Sequence, residues 1–187
     1  MPRQGLNRSA VIEAAIEFAN QESFQALSLG SIARKLAIKP PSLYKHINSL
    51  EDLQDELGIR GATELTKKIL SIEKKNNPKK ELFEACLVYR NYALEHKALY
   101  DAIQPAMNRR SKEFQNVATL LLESIIPFVF ALKVPKKNLI HAVRSLRSLL
   151  HGFIELERQG GFGMPEDIND SFKMLIKIYT EGISVSK

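Results

Sequence analysis

The chain has 187 residues and a formal net charge of +6, with 44% hydrophobic and 26% charged residues. This composition predicts a soluble globular protein of one or two domains, and the mild excess of cations suits a nucleic-acid partner. A single cysteine excludes an intrachain disulfide framework and indicates a reducing compartment, so we expect a cytoplasmic protein. Cys86 lies in an apolar helical pattern, which favours a buried, inert thiol over a redox sensor.

The amino-terminal segment begins with a basic arm from Arg3 to Arg8, which either contacts phosphates or is disordered. Asn7 is a suitable N-cap for a first helix that runs to about Gln21. Glu13 and Glu17 stand where the apolar core of a signal peptide would be, so we expect no signal peptide. The first helix is predicted to brace the segment that follows it.

Residues 28–48 predict two short helices joined by a tight turn. Ser28 is a good N-cap for the first of them. The buried face of that helix is expected to consist of Leu29, Ile32, Ala33 and Leu36. The break falls at 37–39, and Pro40-Pro41 opens the second helix, because proline is tolerated in a first turn. Two helices separated by about three to four residues form a helix-turn-helix, whose second helix enters a DNA major groove.

The second helix of this motif has an inner and an outer side. Leu43 and Ile47 are spaced i and i+4 and face inward. The outer side carries a hydroxyl, a phenol and a cation, which suit phosphates and base edges. The residues that we expect to contact DNA are Ser28, Lys39, Pro40, Pro41, Ser42, Tyr44, Lys45 and His46.

These residues are assigned different roles. Tyr44 and Lys45 are the leading phosphate contacts, whereas Pro41 and Ser42 are best placed for base edges. His46 either contacts phosphate or caps the helix packing.

Three strings in this stretch resemble the DNA-binding domain of the tetracycline-repressor (TetR) family, namely Ile32-Ala33, Leu36-Ala37-Ile38 and Pro41-Ser42-Leu43-Tyr44-Lys45-His46-Ile47. The resemblance is strong from about Ala10 to Leu57 and implies a DNA-binding transcription regulator. Three departures matter. Ala37 stands at the turn, where the family usually has glycine, and Lys39 stands where a small capping residue often precedes the recognition helix. Leu50 replaces a lysine that commonly opens the fourth helix, which removes an expected phosphate contact.

Helical periodicity continues beyond the motif, without strand alternation. Asn48-Ser49 caps a fourth helix that runs toward Leu70 and links the motif to the following domain, and the polar stretch 67–80 is the best linker. Further helices are expected over 79–96, 97–103, 110–132, 136–158 and 168–184. We predict an all-α protein with a three-helix helix-turn-helix domain over 1–48 and a helical-bundle ligand-binding and dimerisation domain over 49–187.

The stretch from Val117 to Val134 is the one candidate for a membrane span. Glu123, Pro127 and Lys133 interrupt it, and a span needs about 20 mostly apolar residues. We therefore expect a buried helix here and no membrane partner.

Aromatic residues in the second domain are candidates for a ligand pocket. Tyr92, His96 and Tyr100 are spaced i, i+4 and i+8, on one side of a helix if that helix is continuous. The full candidate set is Phe83, Tyr89, Tyr92, His96, Tyr100, Met107 and Phe114. These residues either line an apolar pocket for an unidentified small-molecule effector or form an ordinary core stripe.

The 136–158 helix carries small residues on its polar side. Gly152 costs up to about 1 kcal/mol relative to alanine in a helix, which indicates a packing reason, and the alternative is a solvated face. Leu150-His151-Gly152 resembles a tryptophan-histidine-glycine string in the C-terminal domain of some TetR-like regulators. That resemblance implies that the last two long helices pair with those of a second subunit. The expected interface residues are Ser145, Ser148, His151, Gly152, Phe172 and Tyr179.

Enzyme motifs are missing from the sequence: it has no G-x-S-x-G elbow, P-loop, dinucleotide fingerprint or H-E-x-x-H string. The histidines lack the close spacing of a zinc site, and we expect no metal and no cofactor. The sequence predicts a homodimeric regulator that binds double-stranded DNA, a repressor released by a small-molecule effector. The alternative is a helical protein-interaction module without DNA binding, and a helical enzyme comes third.

Overall fold

The computed structural model of the protein describes residues 6–104 and 110–185. Regular structure in these two ranges is helical, with no strand. The α-helices are α1 (Arg8–Gln21), α2 (Leu29–Lys35), α3 (Pro40–Leu43), α4 (Leu50–Leu70), α5 (Pro78–Glu95), α6 (Lys97–Ile103), α7 (Lys112–Phe130), α8 (Leu139–Arg158) and α9 (Ile168–Val185). The all-α prediction is confirmed, and most helix ends lie close to the predicted ones.

Helix starts follow the capping residues that the sequence indicated. The Asn7 side chain accepts a hydrogen bond from the Ala10 N–H at 2.8 Å, at the start of α1. The Ser49 hydroxyl accepts one from the Asp52 N–H at 3.0 Å, at the start of α4. Each cap satisfies a backbone donor that helix geometry leaves without an internal partner.

The residues up to Glu64 and His96–Thr119 form one compact unit, called here the first unit. Within it α1 packs against α2 and α6, and α2 packs against α3. Asn20 of α1 accepts a hydrogen bond at 3.0 Å from the Ala98 N–H, 78 residues further along the chain, at the start of α6. The core of this unit includes Val11, Ala15, Ile32, Leu43, Ile47, Leu53, Leu57, Tyr100 and Phe114. The helix-turn-helix therefore rests on α1, and α6 supports α1.

The approach of α4 to α6 in the first unit depends on a glycine. A Cβ atom built on Gly61 would lie 2.7 Å from the carbonyl oxygen of Leu99, which is closer than real Cβ contacts. Because that oxygen belongs to the backbone of α6, it cannot swing aside as a side chain would. Glycine at position 61 thus sets the distance between the two helices.

The second unit comprises Leu65–Glu95 and Leu120–Lys187, and in it α5, α8 and α9 pack against one another in pairs. Arg90 is buried at its centre. Its guanidinium pairs with Glu157, donates to the Asn169 side chain at 2.9 Å and lies 4.9 Å from the centroid of the Phe172 ring. A buried charge is tolerated only when it is paired and hydrogen-bonded in this way.

Cys86 lies in the core of the second unit, as the apolar pattern predicted. Burial raises the pKa of its thiol well above the ordinary value. The thiolate is the reactive form, so burial and the raised pKa both disfavour reactions of this cysteine at neutral pH.

The boundaries of the two compact units differ from the predicted domain boundary at residue 48. All of α6 and the beginning of α7 belong to the first unit, together with the helix-turn-helix. The functional division into 1–48 and 49–187 stays a prediction.

Helix α7 is less buried than predicted. Among the described helices it alone has the length and apolar composition of a membrane span, yet only 28% of that window is buried. The expectation of a buried helix is wrong for one side, which carries the exposed residues Asn116, Thr119, Leu120, Glu123, Pro127 and Phe130. Phe114, Leu121 and Phe128 on the other side are buried. One side of α7 is therefore buried and the other exposed, as in an amphipathic helix, although the exposed side is partly apolar.

Candidate nucleic-acid interface

The second helix of the motif, α3, is shorter than the stretch up to Asn48. Its α-helical bonding covers Pro40–Leu43, and residues 44–46 continue as turns. The N–H groups of His46 and Ile47 both donate to the Leu43 carbonyl, at 2.8 and 3.0 Å. The two prolines bring no backbone donors, and the end of the helix tightens, which is common where the last carbonyls lack partners.

This short segment separates its buried and exposed sides as predicted. Leu43 and Ile47 are fully buried, whereas Tyr44 is 58% exposed. The other residues of the predicted DNA-contacting set divide into exposed ones, Ser28, Lys39, Pro40, Pro41 and Lys45, and half-buried ones, Ser42 and His46. The exposed side thus offers a phenol and two ammonium groups, which are groups that bind phosphate oxygens.

Ser28 has a structural role in addition to the one predicted. Its hydroxyl accepts a hydrogen bond from the Ser31 N–H at 3.1 Å, and the Ser31 hydroxyl accepts one from the Ser28 N–H at 3.1 Å. This reciprocal capping box fixes the start of α2. A DNA contact by Ser28 stays a prediction.

The turn between α2 and α3 is closed by Ala37 in the left-handed region, with φ of 53°. The Ala37 N–H donates to the Arg34 carbonyl at 3.1 Å, and the Ile38 N–H donates to the Ala33 carbonyl at 3.0 Å. These two bonds form the Schellman closure of a helix end, in which glycine is the usual residue. The alanine, noted in the sequence as a departure, therefore occupies a conformation that strains a Cβ atom.

The basic arm is only partly as expected. Arg3 lies outside the described residues, and Arg8 is bound within the protein, by Asp52 and Glu56 of α4. A phosphate contact by Arg8 would have to displace these carboxylates. The spacing of Asp52 and Glu56, one helical turn apart on α4, was the available sequence signal for this pairing.

The stripe of Tyr92, His96 and Tyr100 within the predicted pocket depended on a continuous helix through His96, and that condition fails. α5 ends at Glu95, and His96 has non-helical backbone angles, with φ of −121° and ψ of 56°. Tyr92 consequently belongs to the second unit and Tyr100 to the first, and both side chains are fully buried. The i, i+4, i+8 stripe does not exist.

The remaining pocket residues have different surroundings. Tyr89 and Phe114 are buried, and Met107 lies outside the described residues. Phe83 lines a surface groove of about 300 Å³ between α5 and α9, beside Lys80 and Lys177. An effector role for these residues stays a prediction.

The predicted interface residues divide between the surface and the core. Ser145, Ser148 and Gly152 are exposed on α8, and His151 is half-buried. A Cβ atom built on Gly152 meets nothing within 4 Å, so the subunit itself does not require glycine there. Phe172 and Tyr179 need correction, because both are buried in the second unit, where the Tyr179 hydroxyl donates to the Ala142 carbonyl at 2.9 Å. They lie on the side of α9 that packs within the subunit.

Several proteins with similar sequences or structures are described as regulators. Residues 82–179 match the family described as tetracyclin repressor-like, C-terminal domain. The uncharacterized HTH-type transcriptional regulator YobS of Bacillus subtilis strain 168 is 31% identical over 187 residues, which cover 99% of this chain and 96% of that protein. The tetracycline repressor protein class D of Escherichia coli is 39% identical over 54 residues, 29% of this chain and 25% of that repressor.

A crystal structure of a TetR variant from Acinetobacter baumannii AYE in complex with minocycline has the same fold, with a TM-score of 0.69 and 20% identity over 95% of this chain and 96% of that one. The family match over more than half of the chain, together with the full-length relative, decides between the regulator and the interaction module. The chain belongs to the tetracycline-repressor (TetR) family, and it is a DNA-binding transcriptional regulator of the helix-turn-helix type.

Proposed function

We propose that this regulator is a cytoplasmic repressor that binds a pseudo-palindromic operator as a homodimer and leaves it when a small-molecule effector binds. The observation that carries the proposal is the exposure of Tyr44 and Lys45 directly beside the buried anchors Leu43 and Ile47. Buried Leu43 and Ile47 anchor the segment in the protein, so its exposed polar side chains can enter a major groove without rearrangement. Tyr44 and Lys45 bind phosphates in this proposal, while Pro41 and Ser42 face base edges.

The outer sides of α8 and α9 support the homodimer. Leu149 and Leu156 on α8 and Met174 and Ile178 on α9 are exposed apolar side chains, and Ile178 is 61% exposed. Gly152 lies among them with open space around it. A two-fold axis would bring this surface against its own copy, because an isologous interface pairs the same patch of both subunits. The likeness of Leu150-His151-Gly152 to the tryptophan-histidine-glycine string is part of the same proposal.

Residues 40–47, called here the recognition segment, comprise α3 and the turns that follow it. A two-fold dimer presents two recognition segments on one side of the duplex. Half-sites about one helical turn apart, 10 to 10.5 base pairs centre to centre, are then read in successive major grooves. The operator should therefore repeat its sequence in inverted orientation.

Release by an effector is supported by the family. The Acinetobacter baumannii TetR variant was crystallised with minocycline, so that protein binds a small molecule. In this chain α4 contributes residues to both compact units, which makes it the natural element to transmit a change. An effector shifts DNA binding only if it binds the DNA-free state more tightly than the DNA-bound state.

Selection of bound sequences from a random duplex pool tests the proposal. A pseudo-palindromic consensus supports a homodimeric regulator, whereas a single asymmetric half-site argues against two-fold binding. Once a consensus is in hand, a small-molecule panel can be screened for compounds that weaken binding to it. A consensus that no compound dissociates would contradict release by an effector and leave the DNA-binding part intact.

A further inference from the structure

The recognition segment is too short to satisfy the backbone carbonyl groups at its own end. α3 has one turn of α-helix, and the carbonyl groups of the residues that follow Leu43 lie at a helix end, where internal donors run out. A helix of this length is not stable by itself. Its far end therefore depends on donors from outside the segment.

Arg8 supplies such a donor. Its Nη1 donates to the His46 carbonyl at 2.7 Å, at the end of the recognition segment. The same nitrogen donates to Asp52 Oδ2 at 3.3 Å, while Nη2 donates to Asp52 Oδ1 at 3.0 Å and to Glu56 Oε1 at 2.5 Å. All four hydrogens of the two terminal nitrogens thus have acceptors within the protein.

Asp52 connects this arginine to the residue that follows the segment. Its Oδ2 also accepts hydrogen bonds from the Asn48 N–H at 2.9 Å and from the Asn48 side chain at 3.1 Å. The hydrogen bond from Arg8 lowers the pKa of Asp52 below its ordinary value, which further favours the charged carboxylate. Two points after the recognition helix, His46 and Asn48, are in this way fixed to the first turn of α4.

We propose that Arg8 is a positioning residue for operator binding: it fixes the end of the recognition segment on α4 and does not itself bind phosphate. Two carboxylates surround its guanidinium, so a phosphate approaching it would meet negative charge and would have to break existing hydrogen bonds. This inference rests on the proposed DNA-contacting surface between Lys39 and His46.

The chain offers a matched control for the stability that such an ion pair contributes. Arg60 of α4 pairs with Glu13 of α1 and with Glu64, so it also links α1 to α4. Its side chain is 41% exposed, against 40% for Arg8. Its hydrogen bonds go to Glu13 and Glu64 rather than to the recognition segment. Loss of Arg60 should therefore affect stability but not the recognition segment.

The test compares Arg8→Met, Arg8→Lys and Arg60→Met in the full chain. The probe is the duplex that the wild-type protein enriches from a random pool, and affinity is measured by fluorescence anisotropy over a range of salt concentrations. We expect both Arg8 variants to bind roughly tenfold more weakly, about the effect of one lost hydrogen bond to a charged group, with an unchanged salt slope. Arg8→Lys should also bind weakly, because a single ammonium nitrogen cannot reach the four acceptor oxygens of His46, Asp52 and Glu56 that the two terminal guanidinium nitrogens bind. Arg60→Met should bind within about twofold of wild type.

Circular dichroism and thermal unfolding of every variant confirm that binding is measured on folded protein. A salt slope that falls by about one in Arg8→Met would identify Arg8 as a phosphate contact and overturn the inference. Equal losses in Arg8→Met and Arg60→Met, or full affinity in Arg8→Lys, would also overturn it. Lys45→Ala separates a failure of this inference from a failure of the proposed function. If Lys45→Ala weakens binding while the Arg8 variants bind normally, only this inference fails. If the wild type enriches no duplex, the proposed function fails and this inference with it.

Discussion

Asp55 of α4 and Arg110, which precedes α7, form a buried ion pair inside the first unit. The carboxylate also accepts a hydrogen bond from the Ser111 N–H at 2.7 Å. The guanidinium donates to the carbonyls of Gln54 at 2.7 Å and Ala102 at 3.1 Å, and it lies 4.0 Å from the centroid of the Phe114 ring. This one arginine therefore links α4, α6 and α7.

The first prediction concerns Asp55→Asn and the pH dependence of stability. Burial raises the pKa of Asp55, but hydrogen bonds from Ser111 and Arg110 outweigh it and keep the pKa below its ordinary value. Because the pKa of Asp55 is lower in the folded than in the unfolded protein, its carboxylate stabilises the fold at pH values above the unfolded-state pKa of about 3.9. That stabilisation is lost as the pH falls through the folded-state pKa. At neutral pH Asp55→Asn should lose roughly 3 to 5 kcal/mol of unfolding free energy, because Arg110 is left buried without a counter-charge.

Urea unfolding between pH 2 and 7 measures this effect. The difference between wild type and Asp55→Asn should be largest at neutral pH and should shrink as the wild-type carboxylate becomes protonated. A difference that is constant across this range would show that the charge of Asp55 is not responsible.

The second prediction concerns Ala37→Gly. The Cβ atom of Ala37 is strained at φ of 53°, and glycine removes that strain. The gain is reduced by the greater freedom of glycine in the unfolded chain, so we expect a net increase of roughly 0.5 to 1 kcal/mol in unfolding free energy. Ala10→Gly, in the regular helix α1, should instead lower it. If both variants are destabilised, the turn is not strained.

The third prediction concerns Gly61→Ala. The added methyl group would meet the Leu99 backbone oxygen at 2.7 Å, so α4 and α6 must move apart. We expect a loss of roughly 1 to 3 kcal/mol in unfolding free energy, measured by denaturant titration. Gly30→Ala is the matched control, since its Cβ atom meets only the Ser28 hydroxyl oxygen, at 4.0 Å, and alanine is the better helix former. Similar losses in both variants would rule out the close approach as the cause.

The fourth prediction concerns Lys45→Ala. Loss of one phosphate contact should weaken binding to all duplex sequences and reduce the log–log salt slope by about one. Lys67→Ala removes an exposed lysine of α4 outside the helix-turn-helix and should leave the slope unchanged. Anisotropy titrations at several salt concentrations provide the measurement. An unchanged slope in Lys45→Ala would remove Lys45 from the phosphate contacts.

The fifth prediction concerns the homodimer. Gly152→Leu should leave the fold of the subunit intact, because space is open around position 152, but it should block close pairing of α8 with its copy. Analytical ultracentrifugation should then detect a monomer with a wild-type circular dichroism spectrum. Arg147→Leu, at an exposed position on another side of α8, should remain a dimer. A dimeric Gly152→Leu would place the interface elsewhere.

Local features of this protein are readable from the sequence, and long-range ones are not. Asn7 and Ser28 were identified as caps because a cap acts within its own helical turn. Leu43 and Ile47 were identified as buried by spacing alone. The boundary between the helices over 79–96 and 97–103 was also predicted, and α5 and α6 meet there. The hydrogen bond from the Ala98 N–H to Asn20 was not, because no local pattern shows a partner 78 residues away.

The same limit explains the errors in the candidate sites. Arg8 was considered as a phosphate contact because its carboxylate partners lie on a different helix. Phe172 and Tyr179 were placed at a subunit interface because periodicity shows that a helix face is apolar, but not which neighbour covers it. Two helices of one subunit and two helices of different subunits produce the same pattern.

The hydrogen bond between Asn20 and Ala98 also bears on the order in which the molecule is assembled during translation. A ribosome that has just released residue 48 has synthesised every predicted DNA contact, but not α6, against which α1 packs, nor Arg110, the partner of Asp55. Contacts between distant parts of a chain also slow folding. The helix-turn-helix of the nascent polypeptide therefore gains its packing partners only after α6 and the beginning of α7 have emerged. A fragment that stops at residue 48 lacks α6 and Arg110.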